Sequence, residues 1–237
     1  MKSIWNIGVK GVALLLIGAL APTWLQAQTC DSKFFALKEG VHLEYTMYSG
    51  SEKVEGTQWQ DITGVESTPD GTRAEMKVGY RDKKGKDVYE SEYGFICQGN
   101  MVKIDYKSLM AGPMQQQFPD AEAEITGTDV EWPNDLSVGM ELPDANMHMK
   151  VSMGGINMRM EMDITGRKVE KQETITTPAG TFDCLVIYSE SRSKMMMGER
   201  TFPSRLWIAE GVGMVKNESY DKKGKINSQM ILTAFSD

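Results

Sequence analysis

Residues 145–164 constrain the fold more tightly than any other stretch. Met147, Met149, Val151 and Met153 are followed by Gly154 and Gly155, then by Ile156, Met158, Met160, Met162 and Ile164. Side chains of a strand alternate between faces, and cross-strand partners share a face. A two-residue hairpin loop at Gly154-Gly155 therefore sets Met153 opposite Ile156, Val151 opposite Met158, Met149 opposite Met160 and Met147 opposite Met162. Ala145 then meets Ile164, and all of these fall on one side. The other side pairs Ser152 with Asn157, Lys150 with Arg159, and His148 with Glu161. A slip of one residue would destroy the segregation, so the sequence specifies the register.

The same period of two runs through the chain. Val41, Leu43, Tyr45 and Met47 alternate with His42, Glu44, Thr46 and Tyr48. Ala74, Met76, Val78 and Tyr80 alternate with Arg73, Glu75, Lys77 and Gly79, and Tyr89, Tyr93, Phe95 and Cys97 continue beyond a turn. Helical periodicity is nearly absent. The turn Asp82-Lys83-Lys84-Gly85-Lys86 recurs as Asp221-Lys222-Lys223-Gly224-Lys225, with Gly supplying positive φ and the lysines keeping the tip solvated. Prolines at 113, 119, 133 and 143 punctuate the least regular part, where a short helix is expected near 108–117. The expected fold is all-β: one large, strongly curved antiparallel sheet, open like a half-barrel and built from meandering hairpins, with at most one or two short helices.

Lys2 and Lys10, an apolar run over 11–20 and a small residue at Ala27 have the layout of a secretory leader. Residues 1–27 are read as a signal peptide and 28–237 as a single β domain, periplasmic or extracellular. Lipidation at Cys30 is disfavoured because Thr29, not Gly, Ala or Ser, precedes it. The run is too short to span a bilayer, and no later stretch is long and apolar enough. Export permits a disulfide; of the three cysteines, Cys30 and Cys97 lie at the ends of strand-like segments, whereas Cys184 sits in the apolar run 182–188. Cys30–Cys97 is the expected pair. The formal net charge is −7, before two lysines are lost with the leader, and such a surface repels nucleic acid and anionic headgroups.

Methionine runs against strand propensity, yet it fills irregular space and suits surfaces that accept varied apolar partners. Met147, Met149, Val151, Met153, Met158, Met160 and Met162, with Trp207 as a large side chain at a sheet edge or groove mouth, are the candidate ligand-lining residues. Ordinary core packing is the alternative reading of the same stripe. Thioethers also suit copper(I), and Met147-His148-Met149 and Met195-Met196-Met197 resemble copper motifs superficially. Strand alternation, however, turns His148 away from its flanking methionines. With two histidines, His42 and His148, each on a polar face, and no HExxH, GxSxG, CxxC or phosphate-loop pattern, no enzyme and no cofactor are expected.

The second half carries Thr177-Pro178-Ala179-Gly180-Thr181-Phe182, Cys184, Trp207 and Gly211-Val212-Gly213-Met214-Val215-Lys216. This run resembles the TapB-like family of secreted β proteins. The resemblance implies an envelope protein whose curved sheet is similar to the half-barrels of lipoprotein carriers such as LolA and LolB, and it brings no catalytic residues. The expected function is non-enzymatic binding or interaction in the cell envelope. The partner is a hydrophobic small molecule or lipid on an apolar concave face, or an envelope protein. Copper(I) binding and a purely structural role in assembly are the alternatives.

Overall fold

The computed structural model describes residues 30, 32–104, 122–153, 156–195 and 198–237. The leader, the helix expected near 108–117 and the loop at Gly154-Gly155 lie outside them. Thirteen strands form one antiparallel sheet: β1 (His42–Ser49), β2 (Val54–Thr68), β3 (Gly71–Asp82), β4 (Asp87–Gln98), β5 (Met101–Ile104), β6 (Glu122–Gly127), β7 (Val130–Pro133), β8 (Ala145–Met153), β9 (Ile156–Thr177), β10 (Gly180–Met195), β11 (Gly198–Ala209), β12 (Gly213–Tyr220) and β13 (Ile226–Ser236). No helix occurs among the described residues. The order across the sheet is β6-β8-β9-β10-β11-β12-β13-β1-β2-β3-β4-β5-β7.

Most neighbours are consecutive hairpins, as the repeated turns require. Asp82 Oδ1 accepts from the backbone N–H groups of Lys84 and Lys86, and Asp221 Oδ1 accepts from those of Lys223 and Lys225. Gly85 and Gly224 take φ of 78° and 74° at the equivalent point. The same local chemistry thus builds the same tip twice. The β8–β9 pairs are those that the alternation specifies, from Met153 with Ile156 to Ala145 with Ile164.

The end strands explain the curvature. β6 and β7 occupy opposite ends of the sheet order, yet only Thr128 and Asp129 separate them in the chain. Three peptide steps reach no farther than about 10 Å. The sheet must therefore curl until its ends approach, although no ladder joins them and it stays open. Register shifts in most of the longer pairings, such as those between Met47 and Tyr48 and between Val186 and Ile187, supply local bends.

The segment after β7 then runs beside the middle of β9. Gly139 donates its N–H to Val169 O at 2.8 Å, Val169 to Met140 O at 2.9 Å, and Leu142 to Arg167 O at 2.9 Å. The N-terminal segment ties several elements together. Cys30 is disulfide-bonded to Cys97 of β4, Gly211 N–H donates to Lys33 O, and Gly40 N–H donates to Ile62 O. One cluster of buried side chains runs from Phe34 and Val41 through Tyr45, Phe95, Val186 and Leu232.

Candidate functional site

The inner face of the curved sheet forms a half-open cavity of about 200 Å³. Its wall is assembled from distant strands: Leu43 and Tyr45 of β1, Ile62 of β2, Met76 of β3, and Tyr93 and Phe95 of β4. Ile104 of β5, Trp132 of β7, Leu206 and Ile208 of β11, and Met214 of β12 also line it, with Phe35 from the N-terminal segment and the polar Gln60 of β2. Alternation explains the membership, because Leu206 and Ile208 share one face of β11 while Trp207 takes the other. Gly213 holds φ 88°, a conformation that favours glycine, beside the Phe35 ring.

Among the described residues none that lines it carries a formal charge. The Tyr45 hydroxyl donates to Met214 O at 2.9 Å. Burial pushes the pKa values of Tyr45 and Tyr93 well above the ordinary phenol range, so both stay neutral. Trp132 packs edge-on against Phe35, with ring centroids 6.1 Å apart, and the Arg167 guanidinium lies 4.7 Å from its own ring centroid. Arg167, only 3% exposed, donates to Pro143 O at 2.7 Å and to Glu131 O at 3.0 Å. Burial lowers its pKa while Asp144 and Glu131 act in the opposite direction.

The methionine ladder is a separate feature. Met147, Met149 and Val151 are buried, Met158, Met160 and Met162 are half-buried, and Ile125 of β6 stands opposite Met149. Met153 pairs with Ile156 at the end of the hairpin. Met147, Met149, Val151, Met158, Met160 and Met162 are in neither the cavity wall nor the central cluster. Trp207 lies between β10 and β12, well inside the sheet. Its indole N–H donates to Glu173 Oε2 at 2.8 Å, and Lys216 Nζ stands 4.6 Å from its ring centroid. Hydrogen bonds from Trp207 and Lys171 lower the Glu173 pKa. His148 is exposed, and His42 Nδ1 is 2.6 Å from Asp61 Oδ1. Among the described residues no group of three or more His, Cys, Asp or Glu is placed to hold a metal.

Sequence reasoning passed over the cavity because its wall is non-local. Met76 and Tyr93 were legible as inward positions on their own strands. Trp132 stood out only as part of a Trp-Pro break, and nothing local connects it with Ile208.

Two solved structures share this fold. A Bacteroides fragilis protein described as exported, with a YmcC-like fold, superposes with a TM-score of 0.70 at 19% identity, over 87% of this chain and 100% of its own. A Parabacteroides distasonis protein described as a lipoprotein gives a TM-score of 0.70 at 24% identity over the same shares. No curated protein matches the sequence. Residues 38–232 match the DUF3108-like family model, and the chain belongs to that family.

Proposed function

We propose that this DUF3108-like protein is an exported, non-enzymatic binding protein of the cell envelope that holds a hydrophobic ligand, or the apolar part of a lipid-like one, inside its curved sheet. The observation that carries this reading is the largely apolar cavity of about 200 Å³, which no described residue lines with a charge. Protein interiors leave few voids larger than a water molecule. An open apolar pocket leaves its lining exposed to water, and covering that lining with a ligand is favourable by about 25 cal/mol per Å². A binding role is the direct reason to retain it.

Export is supported by the leader-like N-terminus, by the Cys30–Cys97 disulfide, which needs an oxidising compartment, and by the exported and lipoprotein descriptions of the fold neighbours. The disulfide also argues for release rather than anchoring, since a sulfur bonded to Cys97 is not free to carry a lipid thioether. The resemblance to TapB-like proteins and to half-barrel carriers agrees with a binding role.

Toluene is a suitable probe. A ligand that binds the native state at one hundred times its Kd stabilises by about 2.7 kcal/mol. For a domain of this size the melting temperature should then rise by roughly 5–10 °C. Leu206→Phe, which fills part of the cavity, should remove that rise. A melting temperature indifferent to toluene in the unaltered protein contradicts the proposal.

A further inference from the structure

Gln60 is the one carboxamide side chain among the described residues that line the cavity. Alternation along β2 turns it inward. Its chain neighbours Trp59 and Asp61 take the outer face, where Lys77 and Arg81 stand over the Trp59 ring and Asp61 Oδ1 is 2.6 Å from His42 Nδ1. Gln60 shares the inner face with Ile62 and lies opposite Leu43 of β1 and Val78 of β3. Leu43 and Ile62 line the same cavity.

No described residue hydrogen-bonds the Gln60 side chain. Buried side-chain polar atoms without a partner occur only at Trp59, Ser91 and Trp132 among the described residues. The Gln60 amide is therefore accessible, half-buried at the cavity rather than sealed behind its wall. The Tyr45 hydroxyl, by contrast, is spent on Met214 O.

A carboxamide presents an acceptor oxygen and an N–H donor group side by side. A second carboxamide satisfies both at once. A carboxylate only accepts and an ammonium only donates, so each leaves one half of the Gln60 amide facing a like group. Among the described lining residues none supplies a counter-charge for either ion.

We infer that the ligand is an amphiphile with an uncharged head that both donates and accepts, as a carboxamide does, and that Gln60 pairs with that head while Leu43, Ile62 and Met76 hold the apolar part. This rests on the cavity reading given above.

Hexanamide and hexanoate test it, since they share a chain and a head shape but differ in charge and in donors. Titration calorimetry on the full, disulfide-bonded protein near neutral pH should show hexanamide binding tighter by on the order of tenfold. Gln60→Met, an apolar side chain of similar length, should weaken hexanamide by on the order of tenfold and leave the rise in melting temperature with toluene unchanged. In the unaltered protein hexanamide should also move the Gln60 side-chain amide resonances, which decides the assignment if the variant does not fold. Equal affinities for the two compounds overturn the head-group class. A hexanamide affinity that survives Gln60→Met, or that falls only in Tyr93→Phe, overturns the Gln60 assignment. Failure of hexanamide to bind while toluene still raises the melting temperature overturns the inference and leaves the cavity reading standing. Loss of both responses overturns the two together.

Discussion

The guanidinium of Arg167, on β9, donates to the backbone carbonyl of Glu131, on β7, across 3.0 Å. β9 stands third from one end of the sheet and β7 forms the other end. One buried cation thus spans the gap that the ladder leaves open, and its second contact, to Pro143 O, secures the segment between them. Trp132 stacks on the same guanidinium and walls the cavity, so the clasp and the candidate site share a residue.

Arg167→Met should therefore destabilise the fold by about 3 kcal/mol, because two buried carbonyls lose their donors. Arg167→Lys should recover only part of this, since an ammonium lacks the planar fork that reaches both oxygens. Urea unfolding midpoints at unchanged slope measure both.

The Cys30–Cys97 bond closes a loop with a sequence separation of 67. Chain-entropy arguments give it about 4 kcal/mol, so Cys97→Ser should lower the melting temperature markedly. Thiol titration of the native protein should be slow, because Cys184 is buried and its pKa is pushed up to about 11, first by burial and then by Asp183 and Glu173. Denaturation without reductant should expose one thiol, and reduction should expose the other two.

The ladder and the cavity give different responses to substitution. Met149, at 3% exposure, should cost roughly 2–4 kcal/mol as Met149→Ala, whereas half-buried Met160 should cost clearly less. Met149→Leu conserves volume and should leave the rise in melting temperature with toluene unchanged. A Met149→Leu variant that lost the ligand would return the site to the ladder.

Glu173 adds an acid-sensitive contact. Its folded pKa lies below the ordinary carboxyl value, chiefly through the Trp207 hydrogen bond. The group therefore contributes stability that is complete above the unfolded pKa and is lost as pH falls through the folded one. Trp207→Phe should flatten stability between about pH 5 and 3 relative to the unaltered protein, as read by chemical unfolding across that range.

Local rules were readable wherever a residue's partners lie near it in sequence. Gly85 and Gly224 announce their turns through backbone chemistry, and the Met149–Met160 pairing follows from a hairpin register that only one alignment satisfies. Arg167, by contrast, sits in a polar stretch of a long strand and looks like a surface residue. Its burial follows from the curling of the sheet, which depends on β6 and β7 being neighbours in the chain and strangers in the sheet. Trp207 misled for a related reason. Its size placed it at an edge or groove mouth, but Glu173 of β9, across β10, and Lys216 of the adjoining β12 satisfy it within the sheet.

Native mass spectrometry of the protein isolated from its own envelope tests the central claim most directly. The chain should be lighter by two protons for its disulfide and carry an added small-molecule mass that disappears on organic extraction and is absent from Leu206→Phe. A bare chain in both proteins would contradict it, and an added mass equal to copper would shift the site to the methionines of β8 and β9.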